Sequence, residues 1–263
     1  MKTAQHSFRL ILLPALFAAV MGASCQKELR SAADPPASHS LTLRFKPVAD
    51  TASLVFGNTY VNTWGERYAV SAFKFYICQV KLYNTDSGVS YDVNKDEYFL
   101  VDFSNPDAAV LQLKAVPFTY DRIGFVVGVD SIRNVSGAQT GALDPAKGMF
   151  WTWNTGYIMA KLEGNSPASN QVNGKFEYHI GGFSGPDNVV KPLTLSFPLG
   201  QEITLQADKS SQITITANVN AWFFNPNDIE LSVNPVCMTP GPLSRQIAEN
   251  YLKMFTITNV VTQ

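Results

Sequence analysis

The chain predicts an all-β fold, an antiparallel β-sandwich with one short C-terminal helix. Three observations carry that prediction. The dominant hydrophobic period is two, and the segments that show it are rich in Val, Ile, Thr, Phe and Tyr, shapes that pack on a pleated surface. These segments are short and separated by clusters of Asn, Asp, Ser, Gly and Pro. Many short strands between such turns imply two packed layers rather than alternating β-α units.

At the N-terminus, Lys2 and Arg9 precede an apolar stretch over 10–22 that is broken by Pro14. The stretch is too short for a permanent bilayer span and suits the hydrophobic region of an export signal, assigned to 1–24. It ends in Gly22-Ala23-Ser24-Cys25, which resembles a bacterial lipobox, whose cysteine is lipidated and becomes the new N-terminus. Gly22 departs from that pattern, where a larger aliphatic is usual; the other reading is ordinary signal-peptidase cleavage with Cys25 left as a thiol. Residues 25–40 are polar and small, with Pro35-Pro36 among them, and read as a tether. A single domain is expected over 41–263. No later apolar run is long enough to cross a membrane, so the expectation is an exported protein, in the periplasm or at the cell surface, held to a membrane only through lipid on Cys25.

Within the domain, alternation is clear over 41–45 and 69–82. In the second run Phe73, Phe75 and Ile77 point one way, and Tyr76, Cys78 and Val80 the other. Both faces are apolar, which marks an inner strand covered on two sides. Further strands are predicted over 53–61, 98–103, 110–116, 122–129, 150–163, 175–180, 193–197, 202–207, 212–224 and 255–261. Turn chemistry stands at Asn84-Thr85-Asp86-Ser87-Gly88, at Ser104-Asn105-Pro106-Asp107, and at residues 208–211 and 225–228. The helix is expected over 244–253, with Leu243, Ile247, Tyr251 and Leu252 on one face and Pro240-Gly241-Pro242 before it.

Charge excludes one class of partner. The chain has 20 basic and 21 acidic residues, and removing Lys2 and Arg9 leaves 18 basic ones. Without a basic stripe there is no electrostatic footprint for nucleic acid. Catalytic signatures are missing as well. No H-E-x-x-H and no G-x-x-x-x-G-K occurs. Gly182-Phe183-Ser184-Gly185 lacks the second glycine of a nucleophile elbow, which would fall at Pro186. A serine triad needs a histidine, and only His39, in the tether, and His179 follow the export signal. The expectation is a protein that is not an enzyme. Asp92-Val93-Asn94-Lys95-Asp96 opens like a calcium loop, but Glu97 replaces the glycine and Phe103 the final carboxylate, so a solvated turn is expected. Cys78 and Cys237 could form one disulfide or remain buried thiols.

The most distinctive region runs over 124–164. A long polar, glycine-rich loop carrying Asp130, Asn134 and Asp144 leads into Gly148-Met149-Phe150-Trp151-Thr152-Trp153-Asn154-Thr155-Gly156-Tyr157. Such a loop is costly to build unless it shapes a surface. Trp151 and Trp153, two apart, point to the same face; they can hold the loop down as a core or rim pair, or face a partner.

These residues resemble the MbnP family, the methanobactin-associated periplasmic copper-binding-like proteins. The likeness rests on Asp130-Ser131-Ile132-Arg133-Asn134, on the run from Phe150 to Tyr157, and on Phe176-Glu177-Tyr178-His179-Ile180-Gly181. Ile247-Ala248-Glu249-Asn250 followed by Met254-Phe255 fits the family's C-terminal end. The likeness is greatest to versions carried as lipoproteins in Bacteroidetes-like bacteria. It implies a β-sandwich associated with copper handling, and a dihaem peroxidase-like partner that oxidises a tryptophan to kynurenine. Trp151 and Trp153 are then the oxidation candidates, and a TonB-type receptor is a further expected partner.

Cu(I) prefers soft sulfur and imidazole ligands. His179 falls on the family's F-x-x-H-[IL]-G stretch, with Cys237 and Met238 as the sulfur candidates beside it. Met149 and Met254 are further options, and Met238 and Met254 lie where the family tends to have methionine. The sequence departs from the family at Phe45-Lys46-Pro47, where other members often carry a histidine in an F-x-H pattern. The resemblance therefore implies a copper-binding exported lipoprotein. The competing expectation is a metal-free surface module whose loop over 130–149 contacts a protein or glycan, with aromatic anchors at its base.

Overall fold

The computed structural model describes residues 27–28, 38–151, 153 and 156–263, with only the backbone given for Lys27, Glu28, Asn94 and Lys95. The stretch over 1–24 expected to be an export signal, the expected lipidation residue Cys25 and most of the expected tether lie outside the described residues. The strands in chain order are β1 (Lys27–Glu28), β2 (His39–Ala49), β3 (Ala52–Ser53), β4 (Thr59–Val61), β5 (Arg67–Asn84), β6 (Val89–Asp102), β7 (Val110–Ala115), β8 (Thr119–Tyr120), β9 (Arg122–Val127), β10 (Ala160–Asn165), β11 (Lys175–Ile180), β12 (Lys191–Ser196), β13 (Ile203–Thr204), β14 (Ser211–Asn218), β15 (Val236–Cys237) and β16 (Phe255–Thr262). Two helices, α1 (Ser131–Val135) and α2 (Pro242–Tyr251), complete the set together with several single 3-10 turns.

The expected mostly β, two-layer body is what forms, with one short helix near the C-terminus. One sheet has nine strands, β1, β4–β6, β9–β12 and β15; a second has five, β2, β3, β7, β14 and β16; β8 and β13 make a separate pair. Most pairings are antiparallel. β2 and β14, however, run parallel from Leu41 opposite Ser211 to Val48 opposite Asn218, which places the first strand of the body beside its C-terminal strands. The first long strand, β2, begins at His39, two residues before the predicted domain start. Lys27–Glu28, within the expected tether, pairs in parallel with Val89 and Ser90 of β6.

β5 is the inner strand that its two apolar faces predict. Phe73, Phe75, Tyr76, Ile77, Cys78 and Val80 are all buried. Rings from both sheets meet edge to face in the space between them. Phe45 of β2 lies 5.6 Å from Phe75, and Phe255 of β16 lies 5.3 Å from both Phe75 and Phe125. Such pairs add about 0.5–1.5 kcal/mol each beyond the area they bury. α2 closes one end, burying Ile247, Ala248 and Tyr251 and setting Tyr251 against Trp222 at 4.9 Å.

The larger sheet forks at Tyr76, and this positions the candidate site. One edge of β5 is held by β6. The other edge is shared: β10 pairs with residues from Ala69 to Phe75, and β9 with residues from Ile77 to Tyr83. Between the two branches the Tyr76 N–H donates to the Met159 carbonyl at 2.9 Å, and the Tyr76 carbonyl accepts from Gly128 at 3.0 Å. The chain therefore leaves β9 and re-enters β10 at one place, and residues 128–159, including the tryptophan segment, rise from the fork. Among the described residues no helix is long and apolar enough to cross a membrane.

Candidate functional site

Asn134 roots the loop. It is 1% exposed. Its Nδ2 donates to the carbonyls of Val129 at 2.7 Å and Asp130 at 2.8 Å, and its Oδ1 accepts from the Tyr157 N–H at 2.7 Å. One amide thus satisfies three backbone groups that belong to no strand ladder. Gly156, at φ +104°, passes so close to Asn134 that a β-carbon would collide with its side chain and crowd the Phe183 ring. Asp130 caps α1, its Oδ1 accepting from the Arg133 N–H at 2.9 Å, and its other oxygen accepts from the Tyr98 hydroxyl. Burial and this bond to a carboxylate raise the Tyr98 phenol above its ordinary value. Asp144 accepts from Ala146 N–H at 2.9 Å and so starts the 3-10 turn over 145–147. All three loop residues singled out in the sequence therefore hold backbone in place.

The tryptophan segment is a narrow hairpin. Phe150 and Tyr157 form a bridge, and the Trp151 N–H donates to the Gly156 carbonyl at 3.2 Å. The predicted strand over 150–163 is thus confined to β10 at Ala160–Asn165; before it, tight backbone at Gly156 replaces extended pairing. The two indoles share a side, as expected, with centroids 5.8 Å apart and planes at 44°. Their environments differ: Trp151 is 3% exposed and Trp153 58%. Trp151 lies directly on Gly181, where a β-carbon would collide with its six-membered ring. Its Nε1 is buried without a hydrogen-bond partner among the described residues. Behind Gly181, Ser244 of α2 accepts from the Gly181 N–H at 3.2 Å and donates to its carbonyl at 2.9 Å, so the backbone under Trp151 is clamped.

His179 sits two residues before Gly181. Along β11, Phe176, Tyr178 and Ile180 fill the core, so alternation turns Lys175, Glu177 and His179 to the outer face of the larger sheet. His179 is nonetheless buried. Its cross-strand partner is Lys161, and Nε2 lies 2.6 Å from Oε1 of Glu163. Lys161 Nζ lies 3.4 Å from the same carboxylate oxygen and donates to the Gly148 carbonyl at 2.8 Å, linking the cluster to the start of the tryptophan segment. The hydrogen bond from His179, with help from Lys161 and against the cost of burial, holds the Glu163 carboxyl down at about 2. Nδ1 of His179 makes no hydrogen bond among the described residues.

The sulfur candidates are mostly buried. Cys237 pairs in register with Tyr178, whose side chain is in the core, and it is buried on that side. Burial pushes its thiol up to about 11. The half-buried Met238 follows directly after Cys237, just past the paired residues of β15. Met149 is fully buried, and Met254 accepts from Trp222 Nε1 at 3.3 Å inside the core. Cys78 and Cys237 are separate buried thiols, which decides between the two alternatives the sequence left open; Cys78 is pushed up to about 12 by burial. Pro47 stands opposite Ala217 in the smaller sheet, whereas His179 belongs to the larger one. Among the described residues no group of three or more His, Cys, Asp or Glu side chains is arranged to hold a metal ion.

Sequence reasoning missed Glu163 and Lys161, and it gave Gly181 no role beyond its place in the family stretch. Lys161 and Glu163 alternate with apolar Ala160 and Leu162, which marks them as one face of a strand. Which strand lies opposite is a matter of register, and only the fold supplies it.

A search of solved structures finds MbnP from Methylosinus trichosporium at 15% identity, with a TM-score of 0.48, covering 77% of this chain and 83% of that one. No curated protein matches. The family model described as MbnP matches residues 38–239, a span that takes in β2, the fork, the tryptophan hairpin and the His179 strand, and by that match the chain belongs to the MbnP family.

Proposed function

We propose that this protein is an exported, non-enzymatic copper-handling member of its family, with the metal taken up on the outer face of the larger sheet at the foot of the tryptophan hairpin. Membership suggests a methanobactin-associated, copper-related function. The residues present suit Cu(I) in kind: His179 offers an imidazole nitrogen and Met238 a thioether, both soft enough for that ion. Cys237 stands apart from this set because its thiol faces the core beside Tyr178. The observation that carries the reading is the placement of His179, buried on the outer face, with Nδ1 unengaged and Trp151 two residues further along the chain on Gly181.

Of the two indoles, Trp153 is the one assigned to oxidation. An oxidant must reach the pyrrole ring. Trp153 offers more than half its surface, while Trp151 is packed on Gly181. A dihaem peroxidase-like partner would meet the protein at this exposed hairpin. The anchor would be lipid on Cys25, with a TonB-type receptor as a further partner at the membrane.

The decisive experiment is Cu(I) competition against a chelator with residues 38–263. The expected result is binding that falls at least about 10-fold in His179→Ala, the scale of losing one ligand from a small donor set. Equal binding by parent and variant would remove the site. Peptide mass spectrometry on protein from its native host should place a kynurenine-type modification at Trp153; unmodified tryptophans there, or modification at Trp151 alone, would overturn the assignment.

One observation favours the second reading, a metal-free docking module. Ile132 and Val135 of α1 are largely exposed, as is Trp153, and α1 is tied to the hairpin root through Asn134. Absence of Cu(I) binding by the parent protein would turn the assignment to that reading.

A further inference from the structure

Glu163 has two features that a surface carboxylate does not need. It is held on two sides, by His179 Nε2 at 2.6 Å and Lys161 Nζ at 3.4 Å. Lys161 in turn reaches the Gly148 carbonyl at the start of the tryptophan segment. All three side chains come from β10 and β11, adjacent strands in fixed register, with Lys161 opposite His179 and Glu163 opposite Glu177. A side chain on a strand in a sheet is placed more rigidly than one on a loop.

A neutral imidazole carries one proton and one lone pair on its two ring nitrogens, so a carboxylate that accepts from one nitrogen leaves the other as the ligand. From this geometry we infer that Glu163 is a positioning residue for His179: it accepts the Nε2 proton, fixes the ring in the Nε2–H tautomer and leaves Nδ1 as the nitrogen presented to a soft metal ion. Lys161 holds the carboxylate in place and, through Gly148, ties the orientation of the ring to the base of the hairpin. The inference rests on the copper reading above for the identity of the ligand, but the tautomer belongs to the metal-free protein and is tested without metal.

Two measurements on the full chain test it, each after thermal unfolding has shown that the variant is folded. Long-range nitrogen–proton NMR of His179 in the metal-free protein should show the Nε2–H tautomer in the parent and in Glu163→Gln, whose amide oxygen can still accept, and a mixture of tautomers in Glu163→Ala. Cu(I) competition should then show a loss of about 10- to 100-fold in Glu163→Ala, the usual scale for removing a ligand's hydrogen-bond partner, with most of the affinity restored in Glu163→Gln. A parent protein carrying its proton on Nδ1 would overturn the inference. So would Cu(I) binding lost in His179→Ala but unchanged in Glu163→Ala, which leaves the copper reading standing. A parent that binds no Cu(I) yet shows the Nε2–H tautomer supports the positioning role and overturns the copper reading alone.

Discussion

A single carboxylate sets how the candidate site responds to acid. Glu163 titrates at about 2 in the folded chain against an ordinary 4.5, chiefly because His179 donates to it. Its value is lower folded than unfolded, so it adds stability above about pH 4.5, and that contribution is lost as pH falls toward 2. The carboxylate is partly open to water, and solvent reduces the contribution to about 2 kcal/mol. Denaturant midpoints measured from pH 7 to pH 2 should show Glu163→Gln less stable than the parent at neutral pH, with the gap closing between pH 4.5 and 2. A gap that stays constant across that range would mean that the pair does not contribute as the geometry implies. The identity of His179 as the histidine to watch was legible in the chain. Its Glu163 partner was not, because a cross-strand neighbour depends on register rather than on sequence distance.

Elements were legible where one face is buried and the pattern is regular. β11 runs over the very residues that alternation predicts, and β5 has the two apolar faces of an inner strand. Legibility failed where the chain turns without changing composition. The apolar run over 212–224 ends as a strand at Asn218, whose side chain accepts from the Asn220 N–H and starts a 3-10 turn. The stretch over 53–61 is broken by Gly57, at φ +84°, and leaves only β3 and β4; that over 202–207 keeps only Ile203–Thr204. α1 went unread because five residues are too few to show a helical period, although Asp130 is an N-cap residue by type. That short helix matters to the hairpin through one side chain. Asn134→Ala would leave Val129 O and the Tyr157 N–H without their partner in a buried place, while Asp130 O keeps the Asn134 backbone N–H at 3.0 Å. The expected cost is about 2–4 kcal/mol, read from chemical denaturation, with increased protease cleavage in the loop. Asp144→Ala, which removes one bond at an exposed turn, should cost less than about 1 kcal/mol. Equal effects of the two variants would contradict Asn134 as the root of the loop.

At the scale of the molecule, the two sheets share one aromatic core, and its closing pieces come from the C-terminal segment. The family match ends at residue 239, yet α2 and β16 follow it. β16 pairs with β14 from Thr262 opposite Ser211 to Phe255 opposite Ala217, and β14 in turn carries β2. Phe255 is the ring that touches Phe45, Phe75 and Phe125, so it bridges both sheets. Ile247, Tyr251 and Met254 are buried against the Trp222 end, and Ser244 clamps the backbone beneath Trp151. Burial of a large apolar side chain is worth about 1.5–3 kcal/mol, and Ile247, Tyr251, Met254, Phe255 and Ile257 together approach about 10 kcal/mol. That equals the whole stability of a typical domain, roughly 5–15 kcal/mol. A fragment over 38–239 should therefore show no cooperative thermal transition by circular dichroism and should expose its tryptophans to solvent quenching, whereas 38–263 should unfold in one step. If the shorter fragment melts cooperatively, the C-terminal helix and strand are accessory, and the clamp on Gly181 is no longer part of what holds the tryptophan hairpin beside His179.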